Sequence, residues 1–146
     1  MKKERLSEFF RAQRARYDTH PSTHCPALRA DVIFNAKGFH HLQSHTDGKM
    51  RTVKEQLHKI NLLPFVVQII KTASHVEHRN RMAPAARKKV DGKKVIKNVD
   101  YWSITGTPET SSEQIKIILR KVGNGQLHFW SVMKLKKRKV PRSEGL

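Results

Sequence analysis

His41, Lys49, Arg51 and Ser131 are the residues of this chain whose types, taken together, could do chemistry on a phosphodiester. Cleaving RNA without a metal needs three things. A base takes the proton from the ribose 2′-OH, cations stabilise the charge gathering around phosphorus, and an acid protonates the leaving 5′-oxygen. Histidine titrates nearest neutrality and suits the proton transfers. Arginine grips phosphate with two donors, Lys49 adds a second cation, and a hydroxyl can position a phosphate oxygen. Each residue also has a plainer reading. His41 is an ordinary surface histidine, with His40 beside it as the competing choice. Arg51 is a solvated residue at a helix start. Ser131 is simply small enough for a crowded sheet.

Other reactive groupings are weaker. The nine histidines fall at His20 and His24, at His40, His41 and His45, and at His58, His75, His78 and His128. His41 and His45 have the i, i+4 spacing of metal ligands on a helix, but no third ligand stands near them. His20 and His24 flank a proline and would not share a helix face. The chain has no CxxC pair, no HExxH and no GxxxxGK[ST] loop. The expectation is a site with no metal and no cofactor.

Charge points to the partner. Lysine plus arginine number 30 against 12 acidic residues, for a net charge of +18 and a pI near 10.6. Such a field draws a protein to polyanions: RNA, DNA or an acidic protein. The cations expected to bind RNA are Arg87, Lys88, Lys116, Arg120, Lys136 and Lys137. The single cysteine, Cys25, rules out an internal disulfide and fits a reducing compartment. No apolar run approaches the ~20 residues of a membrane span, and Met-Lys-Lys-Glu-Arg leads into no apolar signal segment. A cytoplasmic location and no membrane partner are expected.

The elements that must position these residues follow from periodicity. Residues 2–17 form a basic amphipathic helix with Leu6, Phe9, Phe10 and Tyr17 at helical spacing, able to dock on the domain or on a partner. Residues 18–26, with two prolines, read as a breaker. A short strand is expected over 30–35, and a helix over 36–44 with Phe39 and Leu42 inward. A second helix covers 50–60, and 62–71 is read as helix in preference to strand. Basic, Pro84-containing 74–89 reads as an exposed loop. Asp91-Gly92 is a hairpin turn, and 95–106 is a strand. Residues 114–135 form a hairpin turned at Gly123-Asn-Gly. Strict alternation there puts Leu127, Phe129, Ser131 and Met133 on one face, and His128 opposite Ser131. Trp102 and Trp130 read as core residues before they read as platforms for stacked bases. The fold class is α+β, with N-terminal helices packed on a C-terminal antiparallel sheet of about four strands. The helix of 1–17 precedes a single domain over 18–135, and a basic tail over 136–146 is expected to be disordered.

The layout resembles the barnase–EndoU–colicin–RelE superfamily of small metal-independent RNases, in its phage-associated branch. The pieces that carry the likeness are Gly38-Phe-His-His-Leu42, Tyr101-Trp-Ser-Ile-Thr-Gly106, Ile115-Lys-Ile-Ile-Leu-Arg120 and, above all, His128-Phe-Trp-Ser-Val132. The resemblance covers roughly Val32 to Met133. It implies early helices followed by a four-stranded antiparallel sheet. It also implies an active cleft lined by a histidine of the early helix and a Ser or Thr of a late strand, which fall on His41 and Ser131. Lys49 and Arg51 come by proximity, not by motif. The expected activity is endoribonucleolytic transesterification to a 2′,3′-cyclic phosphate and a 5′-hydroxyl. His41 would be base or acid, Arg51 and Lys49 would stabilise the transition state, and Ser131 would hold the phosphate. The expected setting is a toxin of a phage or toxin–antitoxin system. Its partners would be tRNA, rRNA or mRNA and an acidic antitoxin or immunity protein. The alternative is a non-catalytic RNA- or DNA-binding protein, ribosomal or phage accessory. A third reading makes the first helix a protein-docking arm.

Overall fold

The structure, a computed structural model, describes residues 3–90, 93–110 and 112–135, and the side chains of these except at 3, 81–90 and 93–97. The chain runs α1 (Lys3–Asp18), β1 (Ser22–Cys25), β2 (Ala30–Ile33), α2 (Ala36–Gln43) and α3 (Val53–Thr72). It continues through β3 (Val76–Val90), β4 (Lys93–Gly106), β5 (Ile115–Val122) and β6 (His128–Lys134). The class is α+β. The strands form one curled sheet in the order β1-β2-β6-β5-β4-β3. Neighbours are antiparallel except β2 and β6, which pair in parallel through Ile33 and His128.

The sheet therefore has six strands where about four were expected. Two sequence readings were wrong for identifiable reasons. Residues 22–25 lie inside the expected breaker, but Pro21 and Pro26 flank this strand and do not interrupt it. Its alternate residues Thr23 and Cys25 are buried. The expected loop over 74–89 is instead mostly strand: β3 pairs with β4 along an outer edge of the sheet. An edge strand needs only one hydrogen-bonded side, so it tolerates the charges and Pro84 that hid it. The register shifts between Pro84 and Lys89. The two expected helices over 50–71 are one, with Pro64 inside it.

The core lies on one face of the sheet. On β5, Ile115, Ile117 and Leu119 are buried while Lys116, Ile118 and Arg120 are half-exposed, as the alternation predicts. Phe39 and Leu42 of α2 and Ile60, Val66, Ile69 and Ile70 of α3 pack onto these residues. Tyr17 fastens α1 to the same cluster. Its ring lies against Phe34, Phe39 and Phe129, and its hydroxyl donates to the Asn35 carbonyl at 2.6 Å. The first helix thus docks on its own domain.

The strand that carries Ser131 is not regular. Ile118 pairs with Ser131 and the next residue, Leu119, pairs with Phe129, so Trp130 is an extra residue in β6. Such a bulge resets which side successive residues face. Phe129 and Val132 both enter the core. Ser131 and Met133 take the other face, with Lys116 and Ile118. This corrects two expectations: Ser131 does not share the face of Phe129, and His128, opposite Arg120, lies on Ser131's side. Among the described residues, no helix is long and apolar enough to cross a membrane.

Candidate active cleft

The face of β4–β6 turned away from the core is the floor of a cleft of about 820 Å³. Tyr101, Ser103, Lys116, Ile118, Ser131 and Met133 line the floor. His41, Thr46, Arg51, Lys59 and Trp130 line one wall, and Glu77, Arg79 and Asn80 of β3 line the other. Of the four residues singled out for chemistry, His41, Arg51 and Ser131 meet here. Lys49 does not. It is exposed in the α2–α3 loop, with its backbone N–H held by Asp47, and it is not among the cleft-lining residues.

His41 reaches the cleft because α2 lies very close to β6. Asn35 caps the helix by accepting from the Gly38 N–H at 3.1 Å. A Cβ at Gly38 would stand 2.4 Å from the Phe129 carbonyl oxygen and 2.9 Å from the Tyr17 hydroxyl, so only glycine permits the approach. Three residues later the His41 ring stacks on Trp130, with centroids 4.0 Å apart and planes 24° from parallel. His41 is 9% exposed. Its Nε2 lies 3.4 Å from the Thr46 hydroxyl, and no group stands in hydrogen-bond geometry to Nδ1. Burial first, then the charges of Arg51, Lys59 and Arg120, pull its pKa down to about 4, with the Trp130 backbone acting in the other direction. The ring is neutral at pH 7 and able to accept a proton. His40 is exposed on the other side of α2, which settles which of the pair faces the cleft. His45 lies beyond the end of α2, so its expected helical pairing with His41 does not form.

Arg51 is fixed by its surroundings. Its N–H donates to the Gln43 carbonyl, its carbonyl accepts from Gln56, and its Nε donates to the His41 carbonyl at 3.1 Å. Thr52 starts α3 immediately afterwards. Its hydroxyl accepts from the Glu55 N–H and donates to the Glu55 carboxylate, a reciprocal cap that sets where the helix begins.

Trp130 is part of the site, not of the core. The Arg120 guanidinium lies 3.5 Å over its ring. Arg120 donates through Nε to His128 Nε2 at 3.1 Å, and His128 Nδ1 lies 3.2 Å from the Gln126 carbonyl. Accepting at Nε2 requires the proton on Nδ1, so His128 is a neutral ring with both nitrogens occupied. Burial lowers its pKa to about 4. Trp102, by contrast, packs against the core as expected, with one edge at the cleft.

The residue that sequence reasoning missed is Lys59. It lies on α3, half-buried, and its Nζ donates to Ser131 Oγ at 3.3 Å and to the Val132 carbonyl at 3.0 Å. It makes no ion pair with a described carboxylate, and burial and Arg51 lower its pKa to about 8, opposed by Glu55. A half-buried lysine held only by a hydroxyl and a carbonyl is an expensive arrangement for structure alone. Of the expected RNA-binding cations, Lys116 lines the cleft and Arg120 lies behind Trp130. The side chains of Arg87 and Lys88, on β3, and the whole of Lys136 and Lys137 lie outside the described residues. Among the described residues, no group of three or more His, Cys, Asp or Glu is placed to hold a metal ion.

Comparison with family models, with curated proteins and with solved structures gives no match.

Proposed function

We propose that this protein is an endoribonuclease that cuts RNA by 2′-OH transesterification, leaving a 2′,3′-cyclic phosphate and a 5′-hydroxyl. One observation carries the reading: a neutral histidine, a fixed arginine and a serine hydroxyl open into the same cleft of a strongly basic protein. His41 is the base. Burial is the main cause of the depressed pKa of His41, and an incoming phosphate offsets the further contribution of the Arg51, Lys59 and Arg120 charges, so its basicity rises as the substrate arrives. Ser131 holds a phosphate oxygen, and Arg51 stabilises the charge of the transition state. The surrounding field supplies affinity through counterion release.

The biological setting that fits is a phage or toxin–antitoxin ribonuclease acting in the cytoplasm, with an acidic protein covering the cleft until release. The net charge of +18 supports both the RNA and that partner. The test is incubation of purified protein with total tRNA, rRNA and mRNA, with and without a chelator, followed by mapping of the RNA ends. Chelator-insensitive cuts with 2′,3′-cyclic phosphate ends, lost in His41→Ala, are expected. Binding without cutting would instead favour the non-catalytic nucleic-acid-binding reading.

A further inference from the structure

We propose that Lys59 is the proton donor of the cleft, protonating the 5′-oxygen as it leaves phosphorus. This rests on the reading of the cleft as an RNA-cleaving site.

The mechanism needs an acid, and the histidines and arginines around the cleft do not supply one. His41 is committed as the base. His128 has both ring nitrogens occupied by Arg120 and Gln126. His45 lies exposed outside the cleft against Arg51. A guanidinium does not act as a proton donor near neutral pH, which sets the arginines aside. Lys59 is placed correctly. Its amine is fixed on the hydroxyl that would hold the phosphate, so a phosphate held at Ser131 would lie beside the amine. Two of its three N–H groups anchor it to Ser131 and Val132, and the third remains for the substrate.

The environment suits the role. Burial and Arg51 push Lys59 down to about 8 while Glu55 pulls the other way, so the amine is charged at pH 7 yet gives up its proton far more readily than an ordinary lysine. In the reaction, the 2′-oxygen bonds to phosphorus as His41 takes its proton. The P–O5′ bond breaks, its electron pair passes to the 5′-oxygen, and that oxygen takes a proton from the Lys59 ammonium. A cyclic phosphate, a 5′-hydroxyl, an imidazolium and a neutral amine result, and exchange with solvent resets both side chains.

The experiment compares short oligoribonucleotides of mixed sequence with the same oligonucleotides carrying sulfur in place of the bridging 5′-oxygen. A thiolate leaves without being protonated, so the sulfur substrate needs no acid. Lys59→Arg keeps the positive charge but holds its proton. It should cut the oxygen substrate ~10²–10⁴-fold more slowly, the usual scale of a positioned proton transfer, and the sulfur substrate at nearly the wild-type rate. His41→Ala should slow both. Lys59→Met, checked for folding by circular dichroism, should show the same selective rescue. The inference is overturned if Lys59→Arg cuts the oxygen substrate normally, or if it slows both substrates equally. If the wild-type protein cuts neither, the RNA-cleavage reading itself fails and this inference fails with it.

Discussion

His41 lies flat on Trp130, ring centroids 4.0 Å apart, and the bulge in β6 is what places Trp130 beneath it. The contact buries the imidazole and fixes its plane, so the tryptophan sets both the position and the basicity of the proposed base. Trp130→Ala should raise the His41 pKa from about 4 toward the ordinary histidine range, because burial is the largest cause of the depression. A two-dimensional NMR titration of the histidine side chains reads this directly. An unchanged His41 titration would mean that the stack contributes nothing to its environment.

Arg51 depresses both His41 and Lys59. Removing one positive charge raises the pKa of each neighbouring cationic group. In Arg51→Gln, both limbs of the pH–rate profile for single-turnover RNA cleavage should therefore move to higher pH. The plateau should fall ~10²-fold or more, the scale for losing one preorganised donor to developing charge. A loss of rate with both limbs unmoved would make Arg51 a binding residue only.

Acid should weaken the fold in a defined window. His41 and His128 each have a folded pKa of about 4, below the unfolded value of about 6.5. The unfolded chain takes up protons first as pH falls. Stability is thus fully present above pH 6.5, is lost between there and about 4, and levels off below. Each ring contributes on the order of 2 kcal/mol to that loss. Urea unfolding at stepped pH checks the sign, and His128→Gln should flatten the curve by about half. Stability rising over the same interval would contradict both burial assignments.

Gly38 controls how closely α2 approaches β6. In Gly38→Ala the new methyl carbon meets the Phe129 backbone carbonyl, which cannot rotate away as a side chain could. Overpacking of this kind costs roughly 1–3 kcal/mol. The variant should melt several degrees lower and, with α2 pushed outward, should cut RNA more slowly even well below its melting temperature. A thermal scan beside a cleavage assay at low temperature separates the two effects.

Arg79 and Lys116 line the cleft and make no hydrogen bond or ion pair with His41, Lys59 or Ser131. Replacing either by alanine should weaken binding of uncleavable 2′-deoxy oligonucleotide. Each should reduce the log–log salt slope by about 0.7, the value per phosphate contact on a single strand. Cleavage of already bound RNA should stay near normal. A slope that does not change would remove these two from the phosphate path.

The helices and the main hairpin were legible because their signals are local. Phe39 and Leu42 at helical spacing and Ile115, Ile117 and Leu119 at strand spacing all point into the core as read. What was hidden depends on partners distant in sequence. Nothing in residues 76–90 demands a strand until β4 is there to pair with it. No glycine or proline marks the bulge within His128–Lys134, so the alternation looks unbroken there while the register skips Trp130. His41 and Ser131 could be named from their types. Lys59 could not, because it is one of 30 basic residues and its meeting with Ser131 spans 72 positions of chain.

The register of β6 also gives Lys59 a second consequence. Among the described residues β2 pairs with β6 only at His128, so further along that strand the backbone on this side has no neighbouring strand. Helix α2 covers part of it, lying against the Phe129 carbonyl. The ammonium of Lys59 takes the Val132 carbonyl, as a neighbouring strand's N–H would otherwise do. The same side chain thus closes the sheet where the neighbouring strand ends, and a neutral replacement leaves the carbonyl of fully buried Val132 without its donor.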